Sequence, residues 1–154
     1  MKDITISRAL KEKAKLIGLI ATLQERLYSN NSYVKDNSPN YDTNAVLTEL
    51  REAKDSLVQL KVGIATANLP VVKKIYDLSE KKGLVQLLKG LNTNNGFFDN
   101  GRYNGGELRE YVATIKRKEA DDAISILEQE IQDLQDELDT FNASTYVKLS
   151  ANTK

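Results

Sequence analysis

The sequence predicts a mainly α-helical fold, a coiled-coil-like helical bundle with a minor β ribbon. Two observations predict the helices: long stretches carry apolar residues at alternating spacings of 4 and 3, and helix-breaking residues cluster between those stretches. A third observation predicts the ribbon, because residues 71–76 and 108–115 are rich in β-branched and aromatic side chains. At 154 residues, we expect one domain.

The last long helix, predicted over residues 119–142, has the most regular pattern. Its stretch contains nine carboxylates and no Lys or Arg. Its apolar residues form one a/d seam: Ala120, Ile124, Leu127, Ile131, Leu134, Leu138 and Phe141. A helix this acidic needs an apolar partner for its seam and cations near its flanks. Residues 1–28 and 70–91 carry an excess of Lys and Arg, which predicts charge complementarity within or between subunits.

The first helix is predicted from Ile6 to Tyr28, with Thr5 or Asp3 as its N-cap and Asn30 with Asn31 closing it. We expect one apolar face on it, formed by Leu10, Ala14, Ile17, Ala21 and Leu27 and widened by Leu16, Leu19, Ile20 and Leu23. A face this broad predicts burial against more than one neighbour.

The second helix, with Asp42 or Thr43 as its N-cap, is predicted to run to about Ala67, after a polar loop over residues 29–41. Its seam is as regular as that of the last helix: Val46, Leu50, Ala53, Leu57, Leu60, Ile64 and Ala67. Pro70 ends this helical segment.

The middle of the chain is less regular. We predict a strand at 71–76 that pairs with a strand over Leu108–Ile115, and a third helix from Asp77, with Glu80 completing a capping box, to Leu91. Residues 92–106 contain five Asn and four Gly, a composition that we expect to exclude regular structure.

These elements define the expected domain organisation. Residues 1–142 form one helical domain with a loop and strand insertion at 69–116, and residues 143–154 form a tail. Tyr146, Val147 and Leu149 could add a strand in that tail.

The stretch from Asn92 to Lys118 concentrates residues that recognise small molecules. It holds four of the ten aromatic residues and three of the six arginines. Arginine forks match phosphates or carboxylates, and aromatic faces suit a flat ring. The candidate ligand-binding residues are Phe97, Phe98, Arg102, Tyr103, Asn104, Arg109, Tyr111, Lys116 and Arg117. Alternatively, Asn and Gly only make turns, the Phe pair plugs the bundle end, and the arginines pair with the acidic helix.

Three cations, Lys116 to Lys118, fall at the predicted start of the acidic helix. Because a helix N-terminus carries partial positive charge and free N–H groups, a bound anion would relieve the repulsion there. The alternative is that Glu119, Asp121 and Asp122, one turn on, already neutralise the cluster.

The composition excludes several functions. With no Cys and no His, the chain has no thiol nucleophile, Ser-His-Asp triad or usual zinc site. Asp99 to Glu110 has the end positions of a calcium loop, but Gly101 and Tyr103 replace ligands. No phosphate-loop or dinucleotide motif occurs. We therefore predict no enzymatic activity, no cofactor and no metal.

Partner classes are limited by charge and hydropathy. The 22 cationic and 22 acidic residues give no net field toward nucleic acid or anionic lipid, so neither is expected as a partner. No signal peptide and no apolar run of membrane-spanning length is found, and the expected location is the cytoplasm.

One string, Arg102-Tyr103-x-x-x-Glu107-Leu108-Arg109-x-x-Val112-x-Thr114, gives a resemblance to a known family. With the opening heptads, Asn30-Asn31 and the segment 65–68, it resembles small helical bacterial proteins labelled septicolysin-like, over about residues 4–142. The resemblance implies a helical homo-oligomer, and the label implies a pore-forming toxin. The chain shows no long amphipathic strand pair that could line a pore, and Lys116 stands where the family pattern has Asp.

Two functions follow as hypotheses. The first is a homo-oligomeric binding module that holds or sequesters a small anionic, nucleotide-like ligand, with traits of the sponges by which phages capture immune signalling nucleotides. The alternative is a structural coiled-coil or assembly protein without a ligand. A hydrolase acting through Asp or Glu and a metal is the least favoured.

Overall fold

The computed structural model describes residues 3–99 and 108–148 and shows a mainly α-helical protein with a minor β ribbon, as predicted. The elements in chain order are β1 (Ile4–Thr5), α1 (Ile6–Asn30), α2 (Thr43–Ala67), a 3-10 turn (Leu69–Val71), α3 (Val72–Gly90), β2 (Gly96–Asp99), β3 (Leu108–Tyr111), α4 (Arg117–Ser144) and β4 (Tyr146–Val147). Of the described residues, those up to Val71 and from Asp139 onward form one compact unit, the first unit. Those from Val72 to Leu138 form the second unit.

The starts of α1 and α2 are fixed by side-chain caps, as predicted. The Thr5 hydroxyl accepts a hydrogen bond from the Arg8 N–H at 3.3 Å. Asp42 Oδ1 accepts from the N–H groups of Asn44 at 2.9 Å and Ala45 at 3.3 Å. Each cap satisfies N–H groups that have no partner inside the helix. α1 ends at Asn30, two residues beyond the predicted Tyr28.

The predicted seam of α2 is confirmed. Five of its seven residues are buried, and Leu57 and Ala67 are half-buried. The buried residues form two clusters, both in the first unit. One contains Ile6, Ala9, Leu60, Ile64 and Val147, and the other contains Leu23, Val46, Leu50 and Ala53. α1 and α2 therefore meet along most of their length.

The apolar face predicted for α1 is wrong in part: Leu16, Ile20, Leu23 and Leu27 pack into the clusters, but the other predicted residues are exposed. The residues of α1 that pack into the clusters follow a different seam: Ile6, Ala9, Leu16, Ile20, Leu23 and Leu27. Leu10, Ala14, Ile17 and Ala21 are exposed. The physical reason is that α1 carries two parallel heptad seams, and one neighbouring helix covers only one of them.

The end of the chain adds a strand, as Tyr146 and Val147 suggested. β4 pairs antiparallel with β1, Ile4 opposite Val147. Val147 is fully buried, and the Ile6 N–H donates to the Thr145 carbonyl at 2.9 Å. Leu149 lies outside the described residues.

The strand predicted at 71–76 is wrong, and so is the helix start at Asp77. After the 3-10 turn that contains Pro70, α3 begins at Val72. Proline is tolerated in a first helical turn because its missing N–H would have no partner there. Asp77 is no cap; its carboxylate accepts a hydrogen bond from Lys73 one turn earlier.

Helical periodicity in this region explains the error. Ile75, Leu78 and Leu88 are half-buried and Val85 is buried, so α3 turns one face inward at helical spacing. That spacing starts at Ile75, inside the stretch whose β-branched residues predicted a strand. Tertiary packing has overridden the local β propensity.

The prediction of no regular structure over 92–106 is wrong for Gly96–Asp99. These residues form β2 and pair antiparallel with β3, which is shorter than the predicted Leu108–Ile115. The predicted partner of β3, residues 71–76, is helical instead. Gly96 has a φ of 111°, a backbone conformation that glycine adopts without strain.

The seam of α4 is confirmed at each of its seven positions, which are buried or half-buried. Cations of α3 pair with the acidic face of α4, as predicted from their composition. The ion pairs are Lys74 with Glu137, Lys81 with Glu130 and, at 2.8 Å, Lys89 with Glu128. Charge complementarity is therefore present within the chain.

Candidate functional site

Three of the candidate ligand-binding residues share one face of the β2–β3 ribbon. Phe98 lies directly opposite Arg109. Tyr111, two residues further along β3, is the diagonal neighbour of Phe98. The Phe98 and Tyr111 rings meet edge to face, with centroids 5.9 Å apart and planes at 77°. This geometry suits the ring quadrupoles. The ribbon therefore brings two aromatic rings and one guanidinium together.

Phe97 does not join that group. Successive side chains of a strand point to opposite faces, so Phe97 lies on the other face, opposite Glu110. Its side chain is 64 % exposed. The candidates Arg102, Tyr103 and Asn104 lie outside the described residues.

The asparagines beside the ribbon serve local turns. The Asn92 Oδ1 accepts a hydrogen bond from the Asn94 N–H at 3.0 Å. Asn95 Oδ1 accepts from the Ala113 N–H at 3.3 Å, across the base of the ribbon. Both contacts agree with the alternative in which Asn side chains shape turns.

The start of α4 is neutralised by its own carboxylates. Glu119 accepts a hydrogen bond from the Lys116 N–H at 2.9 Å, which occupies one of the N–H groups that an anion would use. Arg117 donates twice to Asp121, and Lys118 donates to Asp122 at 2.8 Å. The hydrogen bond and the charge of Asp122 raise the pKa of Lys118. These contacts favour the alternative over an anion site at this helix start.

The Lys116 ammonium differs from its two neighbours. Within the described residues it forms no ion pair, although its backbone N–H is bound. The candidates Lys116 and Arg117 therefore both lie at the start of α4, but the guanidinium of Arg117 is already paired with Asp121.

A larger feature, outside the candidate ligand-binding residues, is the amount of exposed apolar surface. The second α1 seam, defined here as Leu10, Ala14, Ile17, Ala21 and Tyr28, is exposed along the helix. In the second unit, large apolar side chains are exposed on α3, on α4 and around the ribbon: Val72, Tyr76, Leu84, Leu87, Phe97, Phe98, Leu108, Val112, Ile115 and Ile126. The two heptad seams in the sequence of α1 are the pattern that indicates this exposed surface on α1.

A groove of about 530 Å³ lies in the first unit between α2 and β4. Its lining is mostly apolar: Val58, Gln59, Val62, Gly63, Thr66, Ala67, Tyr146 and Lys148. None of these residues was a candidate from the sequence.

Two features, a metal-binding cluster and a membrane-spanning helix, are absent from the parts of the chain that the structure describes. No cluster of three or more Asp and Glu side chains there could hold a metal ion. Of the helices in residues 3–99 and 108–148, none has both the length and the apolarity needed to cross a membrane.

No family model and no curated protein matches the chain. Among solved structures, a functionally unknown conserved protein from Corynebacterium diphtheriae is similar, with a TM-score of 0.79 and 17 % identity. The alignment covers 96 % of this chain and 100 % of that protein's chain. At this identity the similarity shows a shared fold alone, and the septicolysin-like resemblance stays a prediction.

Proposed function

We propose that the protein is a non-enzymatic, homo-oligomeric assembly module whose helices present apolar faces to further copies of the same chain. One observation carries the proposal: in the described residues, 22 large apolar side chains are exposed, against 13 buried hydrophobic ones. Single exposed apolar residues are ordinary, but aligned sets of them mark association surfaces. The proposal includes a cytoplasmic location and no nucleic-acid or membrane partner.

The heptad spacing of the apolar residues predicts that the copies associate helix against helix. Seams of this kind pack against further helices by interlocking side chains, and closed symmetric assemblies are the usual result. We expect an even-numbered homo-oligomer, because a two-fold interface lets one surface bind itself.

Light scattering coupled to gel filtration tests the proposal. At micromolar concentration the mass should be an even multiple of 17.2 kDa. A monomer across that concentration range would overturn it.

A second candidate function is favoured by the ribbon. Phe98, Tyr111 and Arg109 form an aromatic and cationic face that could take a small anionic, nucleotide-like ligand. This hypothesis keeps the sequestration role suggested by the sequence. It is second because two of the three cations at the start of α4, Arg117 and Lys118, are engaged by carboxylates.

A thermal-shift screen with nucleotides, cyclic nucleotides and ADP-ribose derivatives tests the second candidate, since ligand binding raises the melting temperature by mass action. Arg109→Ala should raise the dissociation constant of a hit roughly 10- to 150-fold, the factor for losing a charge-assisted hydrogen bond. Arg51→Ala, on exposed α2 surface, is the matched control and should leave the shift unchanged. Equal shifts in all three proteins would contradict ligand binding at the ribbon.

A further inference from the structure

α1 has two heptad seams, and within residues 3–99 and 108–148 only one of them packs against a neighbour. Leu23, on the packed seam, is fully buried. On the second α1 seam, Leu10 is 40 %, Ile17 is 48 % and Tyr28 is 86 % exposed. The spacing of the second seam is as regular as that of the first, which is unusual for a helix face in contact with water. The regularity indicates that another helix packs there.

We propose that the second α1 seam binds the same seam of a second copy, with the two α1 helices antiparallel. This inference rests on the homo-oligomer proposed above and identifies its interface. A two-fold axis perpendicular to the helices makes such an interface self-complementary. If one residue contacts a second residue on the other copy, the symmetry repeats that contact with the two copies exchanged.

Charge supports the antiparallel pairing. Lys11 and Glu25 both border the second seam, on the same side, one near each end of it. Within the described residues neither of them forms an ion pair. An antiparallel pairing centred near Gly18 brings Lys11 beside Glu25 of the partner subunit, and the symmetry repeats this pair. Opposite charges that flank a seam are the usual determinants of helix orientation.

Side-chain size supports the same antiparallel orientation. In an antiparallel pairing centred at position 19, one residue from Gly18, Ile17 lies opposite the partner's Ala21, and Leu10 lies opposite the partner's Tyr28. Ile17, a large residue, then faces a small one, which allows the close packing that interfaces share with protein interiors.

Gly18 fits the centre of the pairing. A glycine inside a helix costs about 1 kcal/mol relative to alanine. Among the residues that the structure describes nothing requires it, because a Cβ at Gly18 would meet no atom within 4 Å beyond the adjoining backbone of its own helix. At a helix crossing, the missing side chain would let two backbones approach closely.

A parallel pairing explains less. It would set each residue of the seam opposite its own copy, so alanine would meet alanine and leave space unfilled. Lys11 and Glu25 would also lie at opposite ends of the interface, about 21 Å apart at 1.5 Å per residue.

Substitutions on the two sides of α1 test the surface. Leu10→Asp and Ile17→Asp should each raise the dissociation constant of the interface roughly thirtyfold or more, as for a central interface residue. The matched control is Leu19→Asp, on the same helix at 39 % exposure but off the second seam. Light scattering gives the mass, and circular dichroism shows whether each variant is folded.

Cysteine cross-linking tests the orientation without disturbing the apolar contacts. The chain has no native cysteine, so each introduced thiol is unique. Lys11→Cys mixed with Glu25→Cys should give a disulfide-linked dimer on mild oxidation, whereas either variant alone should give little. This follows because a disulfide needs Cα atoms within about 7 Å.

The outcomes separate the two proposals. A smaller mass for both seam variants, with the control unchanged and cross-linking only in the mixture, supports the inference. A wild-type oligomer that the seam variants leave intact overturns the inference but retains the assembly function. A monomeric wild type overturns both. Efficient cross-linking of Lys11→Cys with itself overturns the antiparallel arrangement.

Discussion

The two units of the molecule are stabilised by different contacts. In the first unit, α1 and α2 share two buried apolar clusters. In the second unit, Val85 is the one buried residue of α3, and ion pairs such as Lys81–Glu130 connect α3 with α4. The charged side chains of the three α3–α4 ion pairs are between 32 % and 55 % exposed to solvent. The first unit is held mainly by apolar burial and the second, to a greater extent, by surface charge.

This difference predicts unequal stability. Fully burying a large aliphatic side chain contributes about 1.5–3 kcal/mol, while an exposed ion pair contributes about 0–1 kcal/mol. Within the described residues, the second unit buries four hydrophobic residues and exposes ten large ones, whereas the first unit buries nine and exposes twelve. The second unit therefore gains stability from any partner that covers it, whereas the first unit has a core of its own.

The largest expected effect comes from the core of the first unit. Leu23→Ala should lower the free energy of unfolding by about 2–5 kcal/mol, because it removes fully buried atoms and leaves a cavity. Urea titration followed by circular dichroism measures it. Val58→Ala, at an exposed position of α2, should change the free energy by less than about 0.5 kcal/mol. Equal effects would mean that the packed α1 seam has been misassigned.

A smaller effect is expected at the one buried residue of α3. Val85→Ala should lower local stability by about 1–2 kcal/mol, which raises amide exchange rates in α3 roughly 5- to 30-fold. Amides of α2 should be unchanged, because Val85 belongs to neither of the buried clusters that α2 forms with α1. Native-state hydrogen exchange measures both helices at once. If amide exchange in α2 were accelerated as much as in α3, the two units would open together. The prediction that they differ in stability would then be wrong.

The helices of the first unit could be predicted because their signals are local. Thr5 and Asp42 cap the helices that follow them, and the α2 seam has one continuous register. The face of α1 could not be predicted, since both of its seams have the same spacing. Only the position of α2 decides which seam is buried.

The second unit could be predicted less well because its signals conflict. Val71 to Tyr76 favour a strand by propensity, yet Ile75 and Val85 belong to one helical face. At the candidate site, strand alternation places Arg109 and Tyr111 on one face. That Phe98 joins them depends on the β2–β3 pairing, which the composition of residues 92–106 obscured.

The smallest expected effect concerns the ion pairs of the second unit. A double-mutant cycle with Lys81→Ala and Glu130→Ala should give a coupling energy below about 1 kcal/mol, because both side chains are partly exposed to water. Added salt should reduce the coupling further by screening the charges. Lys82→Ala is the matched control: it removes the same charge from the next position, where the described residues include no ion-pair partner.

A coupling above about 2 kcal/mol that persists in salt would contradict this prediction. The pair would then behave as a buried one, since only desolvated charges interact so strongly. The second unit would in that case be stabilised by its own charges and would need no partner to cover it. A small coupling instead leaves its exposed apolar residues as the main source of further stability. Covering those residues would then stabilise the second unit, whereas the first unit already has a core.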